Sequence, residues 1–346
     1  MRKLLITLVS LGALVLTGRW ILDLPAVQDR VLEIGSSMIA QRGATPLEES
    51  VNLRVYICGS GSPLGRGQAQ ACIAVLTPTH FFIIDSGAGS TDNITALNLP
   101  TERLSGVLIS HLHSDHIAEL YELNLNSWVR GRQQPMLVMG PKGIEDVVDG
   151  VNASYKHDRK YRSSHHGESL LPPQLGVISH QAIEPGIVFD DGNIKITAYP
   201  AAHPPIDPSI GYRIDYKGRS VVISGDSNVT SETLKIATDT DLLLHDALHL
   251  PTVRRLSKSL SAAGRSRQAK ITTDILDYHA STDSLIALAE DAKINMLGFY
   301  HLVPIPPNLV AEKAFMRDTP DNFILTKDRM WFELPADTDS IVVHAP

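Results

Sequence analysis

The residues with the densest chemistry are Ser110-His111-Leu112-His113-Ser114-Asp115-His116, three histidines and an aspartate within six positions at the end of an apolar run. Neutral imidazoles combined with a carboxylate suit zinc, and also iron or manganese. The run before them, residues 106–110, reads as a buried strand, and residues 117–129 have helical spacing. The cluster therefore sits on a strand-to-helix loop. There His111 and His113 can aim at one ion, while Asp115 and His116, one turn later, point at a neighbouring one.

His-x-His-x-Asp-His resembles the signature of the metallo-β-lactamase superfamily. That resemblance implies an α+β fold: a four-layer αβ/βα sandwich with two β-sheets packed face to face, helices outside and metals at one edge. It also implies where the other ligands fall. His203 ends the stretch Tyr199-Pro200-Ala201-Ala202 and precedes Gly211-Tyr212-Arg213, which is similar to the ribonuclease Z pattern. Gly225-Asp226-Ser227 resembles the family's Gly-Asp-Ser/Thr, whose aspartate bridges two ions, and it speaks against the sulfur-ligand β-lactamases. His301 follows the apolar residues 295–300, where the family places its final ligand.

The implied set is His111, His113 and His203 on one divalent ion, Asp115, His116 and His301 on a second, and Asp226 between them. Zinc is the favoured ion. A bridging hydroxide would be the nucleophile, oriented by Asp115. Asp85, in Ile84-Asp85-Ser86-Gly87, takes the family's supporting role beneath the metal loop. His245-Asp246-Ala247 resembles the His-Glu-Ala of ribonuclease Z relatives, with aspartate in place of glutamate, and is expected to support the ligands from behind. Tyr278-His279-Ala280-Ser281-Thr282 resembles the His-x-Ser/Thr element, which makes His279 the candidate acid for the leaving oxygen. The order of strand, Gly140-Pro141-Lys142-Gly143 and helix resembles the ribonuclease Z and arylsulfatase-like branch. His249 has no such context and reads as surface.

These residues need one large core to hold them, and a chain of 346 residues with 43% hydrophobic content supplies it. Residues 51–346 read as the hydrolase domain. Met1-Arg2-Lys3 followed by the uncharged residues 4–17 reads as part of a signal peptide or membrane anchor spanning residues 1–24, so the protein is expected to be exported, periplasmic or extracellular. Residues 25–50 read as an amphipathic helix, with Val27, Val31, Ile34 and Met38 at helical spacing, and a linker. Cys58 and Cys72 could form one disulfide or remain two buried thiols.

A net charge of −7 argues against a broad nucleic-acid surface. The basic stretch 155–167 reads as an irregular loop near the cleft, from which Arg159, Arg162, His165 and His166 could contact an anionic substrate. The tRNA-clamping arm of ribonuclease Z enzymes is not evident. The expected activity is thus hydrolysis of a small ester, a phosphodiester or sulfate ester. Ribonuclease Z-like tRNA 3′ cleavage, a lactonase, and a metal-binding scaffold without turnover are the alternatives, and a homodimer is compatible with all of them.

Overall fold

The computed structural model describes residues 19–41, 51–63, 65 and 67–346, in two compact units, Met1–Thr45 and Pro46–Pro346. In the first unit the helix Pro25–Gln41 buries none of its residues. The apolar residues 4–17 and the linker at 43–50 lie outside the described residues. Among the described residues no helix is long and apolar enough to cross a membrane.

Among the described residues the second unit contains fifteen strands. In chain order they begin with β1 (Leu53–Gly59), β2 (Cys72–Leu76), β3 (Phe81–Ile84), β4 (Gly106–Leu108), β5 (Met136–Gly140) and β6 (Ile178–Ala182). There follow β7 (Gly186–Asp190), β8 (Ile194–His203), β9 (Ile206–Tyr216), β10 (Arg219–Ile223), β11 (Leu242–Leu248), β12 (Met296–Val303) and β13 (Phe323–Leu325), then β14 (Trp331–Leu334) and β15 (Val342–His344). One sheet has the order β15-β14-β1-β2-β3-β4-β5-β6, the other β13-β12-β11-β10-β9-β8-β7.

Strand side chains alternate between faces, and here each face has its own partner. Val55, Ile73, Ile84 and Leu108 of the first sheet meet Ile196, Ile214, Val221 and Leu244 of the second in the central core. Their neighbours Ala74, Ile83 and Val107 turn outward onto Ile94, Leu120, Leu123 and Ile144 of the covering helices. Val222, Leu243 and Leu297 do the same on the far side against Leu285 and Leu288. Covered on both faces, the central strands read as unbroken apolar runs rather than alternating ones. The result is the expected four-layer sandwich.

Strands β3 to β6 run parallel to one another, as do β10 to β13. In open parallel sheets, sites form beyond the carboxyl ends of such strands. The segments that leave β4 and β10 carry chemical residues, with His203 at the end of β8 and His301 within β12 beside them.

The cysteine alternatives resolve to a disulfide, Cys58–Cys72, whose partners are 14 residues apart in sequence. The pairing of β1 with β2 shifts register between Ile57 and Gly59, opposite Cys72. The loop closed by the bond is tied again by Asp328, which accepts from Ser60 N (3.0 Å), Ser60 Oγ (2.8 Å) and Ala69 N (2.6 Å). Closing a loop of this size should contribute about 3 kcal/mol. A Cys58→Ala/Cys72→Ala protein is therefore expected to unfold at lower urea by that margin, and an unchanged midpoint would mean that the bond does not constrain the unfolded chain.

Candidate metal centre

The segment after β4 turns through His113, extended at φ −66° and ψ 149°, into the short helix Ser114–Ile117. Asp85, at the end of β3, holds it from beneath. It adopts the left-handed conformation (φ 60°), which aspartate tolerates better than most residues. Its Oδ1 accepts from Ser110 N at 2.8 Å, and its Oδ2 accepts from His116 Nδ1 at 2.8 Å. That second bond leaves His116 Nε2 facing the centre.

The other residues arrive from the second sheet at irregular points of its ladders. The β8–β9 pairing shifts between Ala201 and His203. His301 is an extra residue in β12: Asp246 pairs with Tyr300 and Ala247 with Leu302, and His301 itself has φ 43°. A bulge of this kind re-aims a side chain. His203 Nδ1–H donates to the Tyr278 carbonyl at 3.0 Å, so its Nε2, 3.4 Å from His113 Nδ1, carries the lone pair.

Two groups result: His111, His113, His203 and Asp226, and Asp115, His116, Asp226 and His301, each with candidate ligand atoms within 4.8 Å of one another. Asp226 belongs to both. Its Oδ2 lies 3.9 Å from His111 Nε2 and 3.9 Å from His203 Nε2, while its Oδ1 lies 3.4 Å from His116 Nε2 and 3.4 Å from His301 Nδ1. Asp115 Oδ2 is 3.1 Å from His301 Nε2.

The donor set fits cations. His116 Nε2, His301 Nδ1 and Asp226 Oδ1 are buried without a hydrogen-bond partner, an arrangement that is costly unless something else satisfies them. Burial, with the neighbouring His116, holds His111 well below the usual imidazole range, and burial lowers His203 as well. Both therefore present neutral lone pairs. Burial pushes His116 down too, but Asp85 and Asp226 outweigh it and hold it well above the usual range. Burial likewise pushes Asp226 up, yet the charges of His301 and His116 keep it well below the usual carboxylate range. A bound cation would take the place of these protons, since an imidazole must be neutral to act as a ligand.

Behind the ligands, Asp246 Oδ2 accepts from His279 Nδ1 at 2.8 Å and Asp246 Oδ1 lies 2.9 Å from His245 Nδ1. Asp246 and His245 are fully buried, and His279 reaches a cavity of about 480 Å3 whose lining includes His113, Asp115, His203, Asp226 and His301.

Three expectations change. Residues Lys156–His166 form a helix and not an irregular loop. None of Arg159, Arg162, His165 and His166 is among the residues lining the cavity. The Arg159 guanidinium is buried and donates to Asn152 O at 2.8 Å, Arg162 pairs with Asp158 at 2.7 Å, and His165 and His166 are exposed. His249 is buried rather than on the surface, with Nδ1 2.7 Å from Thr252 Oγ1. The sequence reading also missed Tyr278 and the helices Leu250–Ala262 and Ser266–Asp274, which line the cavity. The apolar spacing of Val253 with Leu256 and of Ile271 with Ile275 is the signal that could have found them.

Comparison with known proteins gives the family and the fold. The family model described as anti-Pycsar protein Apyc1 matches residues 53–259. The ribonuclease Z of Mycobacterium bovis is 31% identical over 256 residues, 73% of this chain and 86% of that protein. Two solved structures share the fold. The metallo-beta-lactamase fold protein YhfI from Bacillus subtilis has a TM-score of 0.59 at 16% identity, covering 82% of this chain and 100% of that one. Human tRNase Z, short form, has a TM-score of 0.57 at 20% identity, covering 82% and 99%. The chain belongs to the family of Apyc1 and ribonuclease Z, metal-dependent hydrolases of the metallo-β-lactamase fold.

Proposed function

We propose that the protein is a zinc-dependent phosphodiesterase acting on small phosphodiesters, with His111, His113 and His203 holding one ion, Asp115, His116 and His301 a second, and Asp226 both. The observation that carries this reading is the Asp226 carboxylate, whose two oxygens face the two groups separately, at 3.9 Å and 3.4 Å. When bound, two such ions acidify a water between them and neutralise charge on the attacked group.

The chain's own residues do the rest. Asp115, on the cavity floor, orients the attacking water. His279 gives its Nδ1 proton to the hydrogen bond with Asp246, which leaves Nε2 to protonate the departing oxygen. Burial pushes Asp246 up, but hydrogen bonds from His245 and His279 outweigh it and hold it below the usual carboxylate range, so it stays an acceptor that fixes the orientation of His279.

The same chemistry opens sulfate esters and lactones, and a fold does not choose among them. The ribonuclease Z relative supports the phosphodiester, and it also keeps tRNA 3′ cleavage as the second reading. We propose export as well. The charged and apolar start of the chain motivates it, and the Cys58–Cys72 disulfide supports an oxidising compartment.

The test is elemental analysis beside turnover of bis(p-nitrophenyl) phosphate, p-nitrophenyl sulfate, a lactone and a pre-tRNA. About two metals per chain and preference for the phosphodiester are expected. Efficient pre-tRNA cleavage would replace this reading with the second one.

A further inference from the structure

The cavity has two unlike sides. Its floor is the His/Asp centre, while Val253 and Leu256 from one helix, Ile271 and Ile275 from the next segment, and Pro304 and Ile305 beyond β12 make an apolar wall. Two of these side chains are not buried by the fold: Leu256 is 43% and Ile271 51% exposed. Single exposed hydrophobes are ordinary, but here they converge on one cavity, and a grouped apolar surface beside a polar centre marks a binding face.

The wall is a built feature. The helices Leu250–Ala262 and Ser266–Asp274 are pinned to each other through Ser257 Oγ, which donates to Ala269 O at 3.1 Å and lies 2.8 Å from Thr273 Oγ1. Ile305 is seated against the opposite loop so closely that a Cβ on Gly65 would lie 2.1 Å from its Cδ1. No lysine or arginine is among the described residues that line the cavity. A polynucleotide backbone wants such cations along its path.

We infer that this wall selects the substrate: a singly charged phosphoester whose organic group is apolar and about the size of one aromatic ring, lying on Leu256 and Ile271 while its anionic group reaches the floor. The inference rests on the proposed phosphodiesterase reading and names the substrate class for that site.

The test is calorimetric binding of phenylphosphonate and methylphosphonate to the zinc-loaded full chain. Neither reacts, so the ratio of their affinities reads the wall even if bis(p-nitrophenyl) phosphate is never cleaved, which is the outcome that would sink the phosphodiesterase reading. Phenylphosphonate is expected to bind at least about tenfold more tightly, from the apolar area it removes from water. In a Leu256→Ser/Ile271→Ser protein the ratio should fall below about threefold, with Val310→Ser, on a helix away from the cavity, keeping it. A ratio near one in the unmodified protein, a ratio unchanged in the double variant, or no binding of phenylphosphonate would each overturn the inference.

Discussion

An Asp226→Ala protein is expected to lose both ions together and to fall by about 10^3-fold or more in kcat/KM. The reason is geometric. Each group has three further candidate donors of its own, but only Asp226 faces both, through different oxygens. Removing it takes away the carboxylate that faces His111, His116, His203 and His301 together, and with it the negative charge and the shared oxygen donors that two neighbouring cations need. Elemental analysis of the purified variant reads the first half of the expectation, and turnover reads the second. Retention of about two metals per chain would remove Asp226 from the shared position. Asp226→Asn is the sharper control: it keeps the shape but withdraws the charge, and it too should fail to retain both ions.

The second large effect is expected at His279, and it should look different. His279→Ala should leave the metal content intact and lower kcat by about 10^2- to 10^3-fold, the range of a lost general acid. Its signature is the leaving group. An alkoxide needs the proton and p-nitrophenolate hardly does, so the loss should be large for an alkyl ester and small for bis(p-nitrophenyl) phosphate. Asp246→Asn should move in the same direction by about 10- to 100-fold, because Asp246 touches His279, His245 and the Ser227 N–H (3.2 Å) rather than the reacting atoms. Equal losses with both kinds of leaving group would make His279 a packing residue rather than an acid.

The layers and the centre were legible because their signals are local. His111, His113, Asp115 and His116 lie within six positions, and they follow the apolar residues 106–110, of which Gly106–Leu108 form β4. Asp85 was legible for the same reason: an aspartate and a glycine at a strand end. What escaped has no local signature. The helix Lys156–His166 is polar on nearly every side, so no apolar stripe announces it. It is held by contacts from elsewhere, among them Tyr121 Oη–H donating to Asp158 at 2.6 Å. Arg159 and Arg162 are engaged by Asn152 O and Asp158. His249 looked like surface because burial at the junction of β11 and a helix depends on Phe315, whose ring lies 5.2 Å away but 66 residues on in the sequence. The disulfide depended on a register shift between Ile57 and Gly59 that composition does not encode. His301 was expected after its strand and instead bulges within it, where Asp246 and Ala247 pair around it.

Four of the candidate ligands, His111, His113, Asp115 and His116, hang from the first sheet, and three, His203, Asp226 and His301, from the second. An ion taken up there is a rivet across the seam of the sandwich, and it grips the folded chain alone. Each tenfold rise in free ion above its dissociation constant then deepens the native well by about 1.4 kcal/mol. Metal supply would accordingly govern how long the molecule survives as well as how fast it turns over, and proteases would clear the starved form.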